Sequence, residues 1–382
     1  MWDFLVVGGG IAGASVAQAL AASGRTLLLE RESQPGYHAT GRSAAVYAAS
    51  YGPAPVRALT RASLAFFSQP PAGFAPQALL SPRGALFVAE PHQGTALADL
   101  GDTLVRESTA VRRLTADQAC ARLPVLRSAK VLGAVLDPDV RDIDVHALHQ
   151  GFLRTLRQAG GQWRAGAEVL QLQRHGNYWQ AQVRTAAGTE LLQAGIVVNA
   201  AGAWCDQVAA LADVAPLGIV AKRRSAFVFS GPGDLSHARW PMAIGVGEDW
   251  YLKPDAGQWL GSPANADATA PQDVQPEELD IALGMHRIEE MTTLSIGRPQ
   301  RSWAGLRSFL ADGCPVAGFD PQAPGFFWLA GQGGYGIQTA PALGAAAAAL
   351  VCGQSLPAWV AGQGLSAEEL SVQRLRTGAS AL

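Results

Sequence analysis

The residues of this chain most plainly suited to chemistry stand at its start. Val6-Val7-Gly8-Gly9-Gly10-Ile11-Ala12-Gly13 carries a G-x-G-x-x-G pattern at Gly8, Gly10 and Gly13, and an acid, Glu30, follows 17 residues after the last glycine. Each residue type has a physical use at that spacing. Gly8 permits a tight turn, Gly10 lets the backbone approach a pyrophosphate, and Gly13 lets a helix pack closely on a strand. The helix start offers unpaired N–H groups to phosphates. Glu30 accepts hydrogen bonds from a ribose 2′-hydroxyl, and its charge disfavours a 2′-phosphate. FAD and NAD satisfy the pattern equally, so it does not choose between them.

These residues need a strand, a helix and a second strand to hold them. The apolar run 4–7 has no alternation, as in a buried parallel strand. Residues 11–23 have helical spacing and stop at Gly24, and 26–30 form another apolar strand, completing a βαβ unit. Residues 36–51 are rich in Gly, Ser, Thr and Ala and read as an extended loop entering a helix, and 53–130 mix short helical patterns with Pro and Gly turns. Asp144 caps a helix over 145–159, which ends at Gly160-Gly161. The period then drops to two over 169–172, 178–184 and 190–192, with a buried strand at 195–200. Between 216 and 300 the pattern predicts strands at 225–229, 250–253 and 259–261. A late strand at 326–330 precedes a Gly-rich turn and an alanine-rich helix, and the last dozen residues read as loosely held.

Composition excludes several functions. The chain has 26 Arg but only Lys130, Lys222 and Lys253 as lysines, and its net charge is -2. It therefore lacks the basic footprint of a nucleic-acid platform and the polybasic run of an anionic-membrane anchor. Hydrophobic content of 48% rules out global disorder. The four cysteines are widely spaced without a C-x-x-C, so a disulfide scaffold is not expected and the setting reads as cytoplasmic. There is no apolar run of 18 residues, so no integral membrane segment is expected. His146 and His149 lie near Asp142 and Asp144 but have no third ligand at suitable spacing, and no metal is expected.

Four segments carry a resemblance: 6–13 with Glu30-Arg31, 36–45, 196–204 and 331–338. Together they resemble the FAD-dependent amino-acid oxidoreductases, a family that includes D-amino acid oxidase, glycine oxidase, sarcosine oxidase and D-amino acid dehydrogenase. Within it the likeness runs furthest toward the bacterial D-arginine dehydrogenases, through 222–227, 251–257, 261–267 and 303–309. The resemblance implies an α/β fold: a Rossmann-like FAD-binding domain (1–50, 140–215 and 300–370) and a substrate domain on a mixed β-sheet (51–139 and 216–299). It implies non-covalent FAD. Ala12, Glu30 and Arg31 would serve the pyrophosphate and adenosine end, and Thr40, Gly41, Arg42, Ser43, Ala44, Ala45 and Val46 would follow the pyrophosphate and flavin ring. Val169 would meet the adenine through its backbone, and Gly202 falls in a cofactor-binding segment. Gly333, Gly334, Tyr335, Gly336, Ile337 and Gln338 would border the isoalloxazine, with the following helix pointing its N-terminus at the flavin O2 side, where reduced flavin gathers charge. Cys314 stands several residues away from the position where some sarcosine oxidases attach flavin.

The implied reaction passes hydride from the α-carbon of an amino acid to flavin N5. The imino acid then hydrolyses to a 2-oxo acid and ammonia, and a quinone, another carrier or oxygen accepts the electrons. The protein has to hold the α-carbon in place. By resemblance Arg224 and Arg307 clamp the carboxylate, Tyr251 donates to it, Tyr51 is a lid tyrosine and the Gly334 carbonyl takes the amine. Arginine suits the task, being planar, always charged and bidentate. Alternation prevents Arg223 and Arg224 from both facing the site. Three positions depart from the D-arginine dehydrogenases: Ala85 replaces a glutamate that meets the distal cation, Val46 a histidine, and Ala48 a threonine. A guanidinium deprived of its carboxylate loses about 2–5 kcal/mol. D-arginine and D-lysine are therefore expected to be poor substrates. Apolar or aromatic D-amino acids should fit a pocket of Val46, Ala48, Ala85, Met242 and Gln338, with Trp250 a neighbour in sequence only. Alternatives are a secondary-amine (N-alkyl amino acid) or 2-hydroxy acid oxidoreductase, or a flavoprotein without catalysis.

Overall fold

The two N-terminal apolar runs form adjacent parallel strands, Trp2–Val7 and Thr26–Leu29, with Leu5, Val6, Leu27 and Leu28 fully shielded from solvent. The computed structural model describes residues 1–231 and 238–377. These strands lie in an eight-stranded sheet whose parallel part also takes in Gln162–Arg164, the second half of Gly188–Asn199, and Phe326–Ala330. Strands buried on both faces carry no alternation, which is why the runs read as continuous. One face is covered by the helices Ile11–Leu20, Val145–Gln158 and Gly336–Val351, and the other by the hairpin of Glu168–His175 and Tyr178–Thr185 together with Cys205–Ala210. Asp144 caps its helix as the sequence indicates, accepting from the Ala147 N–H at 2.8 Å.

A second, nine-stranded sheet is mixed. At one edge Arg301–Phe309 runs antiparallel to Val220–Phe229, in register from Val220 opposite Phe309 to Val228 opposite Arg301. The sheet continues through Gln258–Ser262, Tyr251–Asp255 and Met242–Gly245, the last of which pairs in parallel with Ala85–Ala89. An α/β fold with mixed sheets is thus what the chain adopts.

Several local expectations change. The strands expected at 190–192 and 195–200 are one 12-residue strand, Gly188–Asn199. Its first half pairs antiparallel with Tyr178–Thr185 and its second half parallel with Trp2–Val7, so the change of pattern marks a change of partner. Within 53–130 the chain also forms Ala85–Ala89 and Arg112–Thr115; the first has buried residues on both faces and no period to read. The loop expected over 36–51 contains the short strand Val46–Tyr47, paired with Arg141–Ile143. A helix, Glu278–Met291, lies in the region read as strands, burying only Gly284, Ile288 and Met291 among charged neighbours. Residues 371–377 are docked: Val372 is buried, and Arg374 and Arg376 bind Asp312 and Asp320. The rest of the last dozen, 378–382, lies outside the described residues. Among the described residues no helix is long and apolar enough to cross a membrane.

Candidate active site

A cavity of about 560 Å³ runs from the glycine-rich turn to the centre of the second sheet. Its lining includes every site residue named from the sequence except Gly13, Gly41 and Tyr335. Those three lie behind the wall. A Cβ on Gly13 would fall 1.8 Å from the Gly8 carbonyl oxygen, so this glycine serves packing. Gly41 donates its N–H to the Gly36 carbonyl at 2.8 Å, and a Cβ there would fall 2.7 Å from that oxygen. Tyr335 backs Tyr51 edge-on, with ring centroids 5.1 Å apart, and burial pushes its hydroxyl pKa up to about 12.

At the glycine-rich end the polar groups are held by the protein itself. Gly8 has φ 108°, and a Cβ would fall 2.5 Å from the Ala200 carbonyl oxygen, so only glycine fits. Gly10 has no side chain with which to cap the helix Ile11–Leu20; Thr40 does it instead, its Oγ1 accepting from the Ile11 N–H at 2.9 Å. Glu30 accepts from the Gly9 N–H at 2.8 Å and the Glu32 N–H at 2.9 Å, while burial raises its pKa. His149 donates Nε2–H to the Gly9 carbonyl at 2.9 Å, and burial lowers its pKa, keeping the ring neutral. The histidine weighed as a metal ligand is thus a brace for the glycine turn. Arg31 stacks over Trp204 at 4.8 Å and bonds Glu32 at 2.9 Å. Arg42 donates to the Val274 and Ala304 carbonyls at 3.1 Å and pairs with Asp273.

The other end is built differently. Lys222 stands opposite Arg307 in the antiparallel pair, and Arg224 is two residues beyond Lys222, so Arg224 and Arg307 share one face. Arg223 takes the opposite face and meets three acids: Asp267 at 3.4 Å, Asp280 at 3.1 Å, and Glu277. Arg224 meets none. Its Nε donates to the Asn265 main-chain oxygen at 2.6 Å, and burial together with nearby Arg307 lowers its pKa. The Arg307 guanidinium has no hydrogen bond or ion pair to any described residue. Gly334 lies against it, and a Cβ there would fall 3.0 Å from the guanidinium carbon. The Gly333 N–H bonds the Ser308 carbonyl at 2.8 Å, which joins this loop to the strand bearing Arg307. Two half-buried cations in one cavity, neither in an ion pair with a described residue, form a receptor for an anion with two acceptor oxygens.

Between the ends the wall is apolar. Met242 lies opposite Ala85 and Ile244 opposite Phe87 in the parallel pair, and Val46, Ala48 and Val140 complete this side. Phe87, Val140 and Ile244 were not foreseen, although Ile244 follows from Met242 by strand alternation. Nor was Glu248, whose exposed carboxylate lies on the lining; its φ of 52° belongs to the turn that follows Met242–Gly245. Trp250 packs in a separate core and is off the lining, as is Cys314. Gln338 accepts the Ala48 N–H at 3.0 Å, while its Nε2, like that of Gln332, is buried without a partner.

These features fit a dinucleotide with a flavin ring: a glycine turn that a Cβ would fill, an acid and the Arg31–Trp204 stack beyond it, and two amide donors without a described partner at the far loop. Comparison with known proteins agrees. The family model "DAO: FAD dependent oxidoreductase" matches residues 3–350. FAD-dependent oxidoreductase domain-containing protein 1 of Xenopus laevis is 26% identical over 193 residues, 44% of this chain and 37% of that protein. The uncharacterized oxidoreductase YurR of Bacillus subtilis (strain 168) is 26% identical over 175 residues, covering 44% of each. The matches thus span less than half the length of these curated relatives. Among solved structures, glycine oxidase from Geobacillus kaustophilus superposes with TM-score 0.78 at 21% identity, covering 93% of this chain and 95% of that one. L-alpha-glycerophosphate oxidase from Mycoplasma pneumoniae, solved with FAD bound, gives TM-score 0.81 at 18% identity, covering 92% and 94%. Matched by its model along nearly its whole length, the chain belongs to the DAO family of FAD-dependent oxidoreductases, and its cofactor is FAD.

Proposed function

We propose that the protein oxidises the α C–N bond of a D-amino acid and takes apolar or aromatic side chains in preference to basic ones. The observation that carries this reading is the pair Arg224 and Arg307, on one face of the sheet and in no ion pair with a described residue, beside an apolar wall. Bound FAD supplies the two-electron acceptor for the oxidation. The two guanidinium groups hold the substrate carboxylate, and the Tyr251 hydroxyl, which has no hydrogen-bond partner among the described residues, donates to the same group. The Gly334 carbonyl accepts a hydrogen bond from the amine. With carboxylate and amine both fixed, the side chain is directed to Val46, Ala48, Ala85 and Met242.

No side-chain base is assigned, because an amine that loses its proton to solvent beforehand needs none. Basic side chains are disfavoured because the wall has no buried carboxylate to replace their hydration. Glu248 is exposed, so water and salt screen its charge. The D configuration and the bond cleaved rest on the resemblance of 222–227 and 303–309.

Anaerobic mixing of the FAD-loaded enzyme with a panel of D- and L-amino acids tests the proposal. The expected result is bleaching of the flavin by apolar and aromatic D-amino acids, and slower bleaching by D-arginine and D-lysine. Bleaching only by N-alkyl amino acids or 2-hydroxy acids would reassign the substrate class, and no bleaching at all would remove the catalytic reading.

A further inference from the structure

Resting on the reading of Arg224 as a ligand for the substrate carboxylate, we infer that Asn265 is a positioning residue that aims the Arg224 guanidinium. An arginine held in a cavity without an ion pair has little to fix its rotamer before the ligand arrives. Arg224 has one anchor, the bond from Nε to the Asn265 main-chain oxygen at 2.6 Å. That bond uses the inner N–H of the guanidinium and leaves both terminal nitrogens for a ligand.

The anchor is only as good as the turn that presents it. Ala264, just before Asn265, has φ 50°, a left-handed conformation that a non-glycine residue keeps only when its surroundings impose it. They do so through Ser225, the residue after Arg224. Ser262 Oγ donates to the Ser225 carbonyl at 2.6 Å and accepts the Ala264 N–H at 3.0 Å. The Asn265 side-chain oxygen accepts the Ser225 N–H at 2.8 Å, and its amide donates to Asp267 at 2.8 Å and Asp280 at 2.9 Å. Asp280 also accepts from Ser225 Oγ at 3.0 Å and Arg223 Nε at 3.1 Å. The backbone on either side of the Ser225 Cα is therefore stitched to the turn, and the Asn265 carbonyl is fixed relative to the main chain of Arg224. The asparagine amide supplies the needed donor and acceptor together; alanine supplies neither and aspartate only the acceptor.

Benzoate, a carboxylate without an oxidisable amine, is titrated into FAD-loaded enzyme and its Kd read from the flavin absorbance shift. Asn265→Ala is expected to weaken binding about tenfold and Arg224→Ala about a hundredfold. The double variant is expected to bind no worse than Arg224→Ala, because Asn265 acts only through Arg224. A wild-type Kd in Asn265→Ala overturns the inference. So does a double variant about tenfold weaker than Arg224→Ala, since that additivity marks a merely structural role. An Arg224→Ala enzyme that binds benzoate like wild type overturns the clamp reading itself, and with it the part given to Asn265. If Asn265→Ala does not fold, Asn265→Asp takes its place in the same cycle. It keeps the acceptor for the Ser225 N–H, loses the amide donors, and is held to the same outcomes.

Discussion

The two ends of the cavity handle charge in opposite ways. At the glycine-rich end Glu30, Thr40, His149 and Arg42 all have protein partners, and the turn is rigid before any ligand arrives. At the other end Arg224 and Arg307 share one face with no ion pair to a described residue, although Arg223, the chain neighbour of Arg224, has three. Satisfied groups make a scaffold, while half-buried cations without an ion pair make a binding site that is complete only when an anion enters. The unpaired charge is a place where the chain gives up stability for function.

The contrast can be broken at several points. The largest effect is expected from Arg307→Ala, which removes a guanidinium from the unpaired end. Its kcat/KM for a good D-amino acid should fall about 100- to 1,000-fold, while FAD content stays near wild type. A fall below about fivefold would mean that the cations are not a substrate clamp. Next is Ala85→Glu, which puts a carboxylate into the apolar wall. The ratio of kcat/KM for D-arginine to that for D-phenylalanine should rise about tenfold or more, and an unchanged ratio would show that this wall does not meet the substrate side chain.

The scaffold end predicts a pH effect. His149 has a folded-state pKa below its ordinary value of 6.5, so protonation costs more in the folded protein than in the unfolded one. The stability due to the neutral ring is intact above pH 6.5 and is lost as the pH falls through and below that value. The thermal midpoint of the holoenzyme should drop between pH 7.5 and 5.5, and His149→Gln, which keeps a donor for the Gly9 carbonyl, should flatten the drop. Equal slopes in the two proteins would remove His149 from the account. The smallest effect is expected from Arg223→Ala. Its side chain takes the opposite face and pairs with Asp267, Asp280 and Glu277, so its direct contribution to carboxylate binding is nil and any change, within about threefold, comes through Asp280.

The same contrast explains what the sequence made legible. Gly8, Gly10, Gly13 and Glu30 act through local backbone geometry, so their spacing alone reports their place. Arg224 and Arg307 are 83 residues apart and meet only through strand register, and only resemblance to a family pointed to them. Phe87, Val140 and Glu248 reach the cavity through long-range strand pairing, so nothing local announces them. Asn265 lay within a segment noted for its likeness, but its part depends on hydrogen bonds to Ser225 and Asp280 that no spacing rule encodes. The helix Glu278–Met291 was hidden by its narrow buried stripe, and the continuity of Gly188–Asn199 by a change of partner within one strand.

The central claim is that Arg224 and Arg307 hold a substrate carboxylate. It is tested most directly by comparing anaerobic flavin reduction by D-phenylalanine and by phenethylamine, the same molecule without its carboxylate. The account predicts rapid bleaching by D-phenylalanine and, at equal concentration, bleaching slower by at least about a hundredfold with phenethylamine. Equal rates for the two would contradict it.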